Sequence, residues 1–263
     1  MILPSTSDRK VDMKDQASVL RETDGQARTL ARTLLRSARY AGLAVLDPAT
    51  GFPFASRVLL GTDIDGTPVV LVSALSTHTK ALEADPRASL LTGEPGKGDP
   101  LAYPRLTTQC IAEPVERGSP LHERIRGRFL NRHTKAKLYI DFPDFRFFRL
   151  LPQSASLNGG FGRAYLLEGS DLAILSPAND AVAAEADAIV RDLVDNHPEV
   201  LRALETRFKG TIDGTLRVCG LDCAGFDVIS GDNLSRCEFE EPVTKPGEII
   251  PHISKIAYSI PEI

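Results

Sequence analysis

The sequence predicts an α+β fold, in which a small antiparallel β-barrel is flanked by helices and followed by a smaller α+β unit. Short runs of β-branched and apolar residues recur between residues 43 and 151, separated by Asp-Pro, Thr-Gly and Asp-Gly turn signals. Few helical segments interrupt these runs, which favours a barrel over a parallel doubly wound sheet. With 42% hydrophobic and 25% charged residues, the 263-residue chain can bury such a core.

The first predicted element is an amphipathic helix over residues 26–40. Apolar residues recur at every fourth position from Leu30, and arginines repeat with the same spacing on another face. We expect Gly42 to end this helix. Residues 1–24 before it are polar and show no periodicity, so we expect a flexible tail there.

Six strands are predicted after this helix. They are residues 43–47, 52–63, 68–75, 88–93, 107–116 and 145–151. Asp65-Gly66 suits a tight hairpin turn between the second and third strands. A short helix with a hydroxyl cap is predicted over residues 76–85, stopped by Pro86. Residues 121–140 are predicted to form a basic helical insertion.

A shift toward small and polar residues at 176–188 predicts a domain boundary. The chain then divides into a tail of residues 1–24, a barrel domain of residues 25–175 and a satellite domain of residues 176–263. In the satellite domain we predict a helix over residues 185–208, kinked or restarted at Pro198, and a last helix that begins near Pro246. Between these helices we predict a three-stranded meander of residues 215–222, 225–232 and 235–242.

Charge and composition exclude several classes of protein. A net charge of -4 argues against a bulk electrostatic nucleic-acid binder. No apolar stretch approaches the roughly 20 residues of a membrane span, and the N-terminal residues do not resemble a secretory signal. We therefore expect a cytoplasmic protein whose four cysteines are free thiols rather than a disulfide or zinc framework.

A phosphate site is the first candidate from the residues themselves. Arg57 lies in a predicted strand and Lys80 in the helix that follows the next strand. The hairpin between them would bring Arg57 near a helix start that carries His78 and Thr79, where fixed donors could bind a dianion. The alternative is that both charges are solvated and Ser76 only caps the helix, and spacing alone favours this alternative.

Several short motifs, taken together, give a more specific indication. They are Ser-Arg-Val at 56–58, Ser-Ala-Leu at 73–75, His-Thr-Lys at 78–80, Asp-Pro-Arg at 85–87, Gly-Asp-Pro-Leu at 98–101, Asp-Phe at 144–145 and Gly-Gly-Phe-Gly-Arg-Ala at 159–164. Through them, residues 28–168 resemble the FMN-binding split-barrel superfamily that includes pyridoxamine 5'-phosphate oxidase, and within it the haem-utilisation (HugZ-type) branch. The C-terminal part resembles the small α+β domain fused behind the barrel in that branch.

The resemblance implies an antiparallel split barrel that forms a homodimer, with FMN in a cleft between the subunits. By position, Arg57 and Lys80 would hold the flavin phosphate, assisted by the hydroxyls of Ser73 and Thr79. Fixed cations and hydroxyl donors are the groups that a phosphate requires. The small-molecule substrate and the electron donor are not implied.

The resemblance also assigns the surroundings of the flavin ring. The backbone of Val58 and Leu59 would face the isoalloxazine, and His78 would lie beside the ribityl chain or the phosphate. Gln109 would approach the flavin from the partner strand. No side chain stands out as an obligatory acid or base, so no catalytic residue is assigned, and no metal ligands are assigned.

Three functions remain open at this stage. They are an FMN-dependent oxidoreductase, a haem-binding or haem-degrading protein of the same architecture, and a non-catalytic carrier of flavin or tetrapyrrole. The retained Arg57 and the His-Thr-Lys motif favour the first function. The satellite domain's family usually shows a His-Met-Asn-x-x-His stretch, of which this chain keeps only His197, and this loss lowers the haem hypothesis.

Two further segments have two interpretations each. The first is a basic cluster of Arg124, Arg126, Arg128, Arg132, Lys135 and Lys137. It is either an exposed helix face or a positive rim that attracts a carboxylated tetrapyrrole. The second is the glycine run at 158–162, which we interpret as a turn with unusual backbone angles, because a dinucleotide loop would be followed by a helix.

Overall fold

The structure, a computed structural model, describes residues 20–160, 162–208 and 215–259. Residues 1–19, most of the predicted tail, lie outside the described residues. The start of the described chain runs beside a strand near residue 164. Leu20 forms an isolated parallel bridge with Ala164, and the Arg21 amide donates to the Ala164 carbonyl at 2.9 Å.

Six α-helices and ten strands form within the described residues. In chain order they are α1 (Gly25–Arg36), β1 (Tyr40–Leu46), β2 (Pro53–Thr62), β3 (Pro68–Ser73), α2 (Thr77–Ala84), β4 (Arg87–Thr92), β5 (Arg105–Pro114), α3 (Pro120–Arg132), β6 (Phe145–Asn158), β7 (Ala164–Glu168), α4 (Ala178–Asn196), α5 (Pro198–Arg207), β8 (Arg217–Asp222), β9 (Gly225–Ser230), β10 (Asn233–Glu238) and α6 (Ile249–Tyr258). None of these helices is long and apolar enough to cross a lipid bilayer.

The first six strands close into an antiparallel barrel. Their order is β3-β2-β1-β4-β5-β6, and a pairing of β3 with β6 completes the circle, while β7 extends β6 outside it. The predicted Asp65-Gly66 hairpin joins β2 to β3, and Gly66 takes a φ of 89° there. The α+β fold class, with a barrel followed by a helix-and-sheet region, is confirmed.

The first helix is shorter than the sequence predicted. It ends at Arg36, where Ser37 donates its backbone N–H to the Thr33 carbonyl, and the chain already enters β1 at Tyr40. The expectation that Gly42 ends the helix is therefore wrong. Gly42 lies inside β1 opposite Arg57, and the apolar repeat that extended the prediction continues into a strand whose alternate residues are buried.

The C-terminal part has an apolar core of its own. The β8-β9-β10 meander packs with α4, α5 and α6 around side chains such as Phe226, Leu204 and Ile253. α4 begins at Ala178 rather than at residue 185, because the alanine-rich segment favours a helix. Ile64, from the β2–β3 hairpin, belongs to the same core. The division into domains at residue 176 stays a prediction.

Candidate functional site

The first part of strand β2, before Leu60, does not pair with β3, so one edge of the strand is open there. Its register with β1 runs from Pro53 to Leu59, whereas its register with β3 begins at Leu60. The Leu60 amide donates to the Arg39 carbonyl of the β1 side at 2.9 Å. Because backbone groups alternate sides along an antiparallel strand, those of Arg57 and Leu59 face the open side. This opening is the position at which the barrel is split.

Hydroxyl groups gather at the start of α2, beside the split. The Ser76 and Thr79 hydroxyls both donate to the Ser73 carbonyl, at 2.6 and 2.7 Å. The Ser73 hydroxyl in turn donates to Asp144 at 2.7 Å. Ser76 occupies the N-cap position but makes no capping hydrogen bond, because its oxygen is turned toward Ser73. The amides of Thr77 and His78 therefore have no partner among the described residues, while the Thr79 amide donates to the Ser76 carbonyl at 3.2 Å.

His78 bridges the helix start to strand β2. Its Nδ1 lies 3.1 Å from the Ser56 hydroxyl, and its Nε2 lies 2.9 Å from the Ser76 hydroxyl. Since Ser76 already donates to a carbonyl, we assign the proton of the ring to Nε2, with Nδ1 accepting from Ser56. Burial lowers the pKa of His78, so the ring is neutral near pH 7.

The two predicted phosphate-binding cations flank this cluster without joining it. Arg57 is exposed, and its guanidinium carbon lies 5.1 Å from the centroid of the Tyr40 ring, on the β1 side. Lys80 is exposed on α2. Within the described residues, neither cation forms an ion pair, so both charges remain available.

The other predicted flavin contacts are spread over the barrel. Val58 is buried and its backbone pairs with Ala41 of β1, so only Leu59 of this pair presents its backbone to the split. Gln109 lies on β5, where it accepts a hydrogen bond from Ser154 at 2.9 Å. β5 is separated from β2 by two strands, so one chain does not bring Gln109 to Arg57.

A second histidine environment lies on α6, where the apolar pattern of the last helix favoured a partly buried helix histidine at His252 over a haem ligand. The Nδ1 of His252 lies 2.8 Å from the Glu248 carbonyl, and its ring packs against Phe239 with centroids 5.1 Å apart. Because the carbonyl can only accept, Nδ1 carries the proton and Nε2 keeps its lone pair. His252 is half-buried and lines a cavity of about 220 Å³. The i to i−4 spacing of Glu248 and His252 was the only sequence signal.

Most arginines of the basic cluster form ion pairs. Three of its arginines pair with carboxylates: Arg124 with Asp63, Arg126 with Asp141, and Arg132 with Asp227. Arg128 instead donates to two backbone carbonyls, and Lys135 and Lys137 are exposed. The interpretation as a simple exposed face is therefore wrong for the arginines.

The glycine run forms the β6–β7 turn. Gly160 and Gly162 have φ angles of 101° and 70°, as the prediction of unusual backbone angles requires. A β-carbon at position 160 would also come within 2.9 Å of the Ala102 carbonyl oxygen. Phe161, between them, lies outside the described residues.

Comparison with known proteins gives a consistent set of relatives. The family model described as "CREG, beta-barrel" matches residues 22–171. Non-canonical heme oxygenase HOZ, chloroplastic, from Arabidopsis thaliana is 29% identical over 180 residues, which are 68% of this chain and 54% of the relative. Heme oxygenase HutZ from Vibrio cholerae is 33% identical over 109 residues, which are 39% of this chain and 60% of the relative. The chain thus spans little more than half the length of the curated relatives it matches.

Two solved structures resemble most of the chain. A heme binding protein from Mycobacterium smegmatis is 29% identical and covers 89% of this chain and 97% of its own, with a TM-score of 0.54. A protein of unknown function from Agrobacterium tumefaciens is 28% identical and covers 89% and 96%, with a TM-score of 0.77. The likeness to these structures extends beyond the barrel into the C-terminal part.

Proposed function

We propose that this chain, which belongs to the CREG β-barrel family, is a haem-binding protein of the HugZ type. The observation that carries the proposal is the agreement among its relatives. Two of them are named heme oxygenases and a third, alike over 89% of this chain, is named a heme binding protein. The sequence analysis favoured an FMN-dependent function over a haem-binding one, whereas these relatives support the haem alternative better.

A haem protein needs a side chain that can ligate the iron, and His252 fits this requirement best. A metal-ligating histidine usually donates its other ring N–H to a carbonyl or carboxylate, which fixes the tautomer and orients the ring. His252 has this arrangement with the Glu248 carbonyl, and its Nε2 is free of protein hydrogen bonds within the described residues. When bound, haem would supply the redox and dioxygen chemistry, which is that of the cofactor.

The other histidines fit the iron less well. Both ring nitrogens of His78 contact hydroxyls. His122 and His133 are each only 6% exposed. His197 lies between two carboxylates, with Nδ1 3.7 Å from Glu199 and Nε2 4.0 Å from Asp192. The role of the chain at the proposed site is therefore to orient the His252 ring through the Glu248 carbonyl and to hold it half-buried against Phe239.

Titration with haemin tests this proposal. The purified protein should give a Soret band that saturates with added haemin, and His252→Ala should shift the band or weaken binding at least tenfold. His197→Ala is the matched control, because it also removes a C-terminal histidine, and it should leave the spectrum unchanged. A wild-type spectrum equal to that of free haemin would overturn the proposal, and an unchanged His252→Ala spectrum would remove this residue as the ligand.

FMN binding at the split remains a second candidate, because a specific observation favours it. The open backbone of Leu59 lies at the split, the start of α2 has no side-chain cap, and the cations Arg57 and Lys80 are exposed and without ion pairs within the described residues. These groups match the pyrimidine edge and the phosphate of a flavin. The resemblance implies an FMN cleft between two subunits, with Gln109 approaching from the partner strand, so the homodimer is part of the same proposal.

A further inference from the structure

A second, larger cavity lies between the barrel and the C-terminal part, away from His252. It has a volume of about 720 Å³ and is lined by α3, α4 and β8. Such a volume is typical of sites for small organic ligands. Its floor is apolar, formed by side chains that include Val190, Val218 and Leu221.

Four arginines line this cavity, and within the described residues only Arg124 pairs with carboxylates, most closely with that of Asp63. Arg128 donates its Nε to the Thr62 carbonyl at 3.2 Å and its Nη1 to the Leu221 carbonyl at 2.7 Å, which leaves Nη2 without a hydrogen bond to the described residues. Arg128 is half-buried, and burial lowers its pKa, an effect that the carboxylates of Asp222, Asp227 and Asp63 oppose. A guanidinium that donates only to carbonyls and keeps one free nitrogen can bind a further anion.

Two further arginines lie at the exposed edge of the cavity. Arg191 of α4 and Arg217 of β8 are exposed, and within the described part of the chain neither forms an ion pair. The carboxylates of Glu123 and Asp187 also line the cavity, and among the described residues neither forms an ion pair with Arg128, Arg191 or Arg217. The cavity therefore combines apolar side chains with three arginines that have no ion-pair partner there, which suits a ligand with an apolar body and more than one carboxylate.

The cavity offers no histidine or thiolate ligand for iron. Among the described residues that line it there is no histidine, and the thiol of Cys219 is buried. Burial, followed by the charge of Asp227, raises the pKa of Cys219 to about 12, so the thiol stays protonated and is a poor metal ligand. Recognition in this cavity must depend on carboxylates and apolar contact.

We infer that this cavity is a second tetrapyrrole site, which binds an iron-free or open-chain tetrapyrrole through Arg128, Arg191 and Arg217. The inference rests on the proposed function, from which it takes the ligand class, and it adds a site that does not need iron. A protein that binds haem at His252 would then also bind, at the second site, the iron-free dicarboxylate tetrapyrrole or its ring-opened form.

The test uses iron-free protoporphyrin IX as the probe, followed by fluorescence in the full chain. We expect saturable binding that weakens at least tenfold in the double variant Arg191→Ala/Arg217→Ala. Both side chains are exposed, so this variant should fold, which its circular dichroism checks. Lys135→Ala/Lys137→Ala removes the same charge from an exposed surface elsewhere and should leave the affinity unchanged.

Haemin titrations of the same variants separate the two proposals. The arginine variant should keep the Soret band, and His252→Ala should keep porphyrin binding. Equal porphyrin affinity in the arginine variant and the wild type would overturn the second site. Haemin binding without any porphyrin binding would overturn the second site and leave the proposed function, and binding of neither would overturn both.

Discussion

Arg36 and Asp222 form an ion pair of 2.6 Å in which each side chain is only 1% exposed. Arg236 donates to the same carboxylate at 2.7 and 2.8 Å. Arg236 also lies 3.4 Å from Asp227, which pairs with Arg132 at 2.9 Å. Since Arg36 and Arg132 belong to helices beside the barrel and the other three to the C-terminal sheet, a buried chain of charges joins the two apolar cores.

The first prediction concerns Asp222, which neutralises two buried guanidinium groups. Asp222→Asn should destabilise the protein by about 3 to 5 kcal/mol, because breaking a buried pair leaves an uncompensated charge. Unfolding in urea, followed by circular dichroism, measures this loss. Asp85→Asn, which breaks the exposed pair with Arg87, is the control and should change the midpoint little. Equal midpoints for the two variants would contradict a stabilising role for the buried network.

Local sequence signals predicted the strands and the hairpin turn. The features that they did not predict depend on contacts between residues far apart in the sequence. The Asp65-Gly66 turn and the apolar alternation of the barrel strands are properties of neighbouring residues. Arg36 and Asp222 are 186 residues apart, so no spacing rule could pair them. The arginines of α3 were predicted as a basic surface for the same reason, because their partners lie on other elements.

The candidate site was predictable only in part. The resemblance identified Ser73, His78 and Thr79, which the structure brings together at the start of α2. It included Ser56 in the Ser-Arg-Val motif but gave no role to its hydroxyl, which contacts His78 of α2 from strand β2. The environment of His252 depends on a carbonyl and an aromatic ring, which sequence patterns of side chains do not reveal.

The second prediction is a pH dependence due to His133. Burial lowers the pKa of His133 to about 4, and its hydrogen bond with the Leu60 carbonyl only partly offsets this effect. In the unfolded chain, His133 binds a proton at about pH 6.5, whereas in the folded protein it does so only near pH 4. The contribution of His133 to stability is therefore complete above pH 6.5 and is lost as the pH falls toward 4. We expect a loss on the order of 3 kcal/mol, measured by urea unfolding at each pH.

Two variants separate His133 from other titrating groups. His133→Gln can still donate to the Leu60 carbonyl but cannot titrate, so its stability should fall less between pH 6.5 and 4. His197→Gln, which removes a less buried histidine of the C-terminal part, is the control and should keep the wild-type profile. If His133→Gln retained the full wild-type slope, the dependence would have to be assigned to other residues.

The third prediction concerns the β2–β3 hairpin. Gly66 has a φ of 89°, and a β-carbon there would collide with the guanidinium of Arg36. Gly66→Ala should therefore destabilise the protein by more than the roughly 1 to 2 kcal/mol that a left-handed alanine costs. Gly98→Ala is the matched control, because Gly98 has a φ of 93° and a β-carbon added there would meet no other atom within 4 Å. Equal losses in the two variants would show that crowding against Arg36 adds nothing.

The fourth prediction tests FMN binding at the split of the barrel. Arg57→Ala combined with Lys80→Ala should weaken FMN binding more than tenfold, because two cations that could bind the phosphate are removed together. Quenching of flavin fluorescence measures the dissociation constant, and Lys135→Ala/Lys137→Ala controls for the change in net charge. Riboflavin, which lacks the phosphate, should bind the wild type and the double variant with similar affinity. If FMN affinity were unchanged in the double variant, Arg57 and Lys80 would not form a phosphate site, and the open edge at Leu59 would lose its assigned ligand.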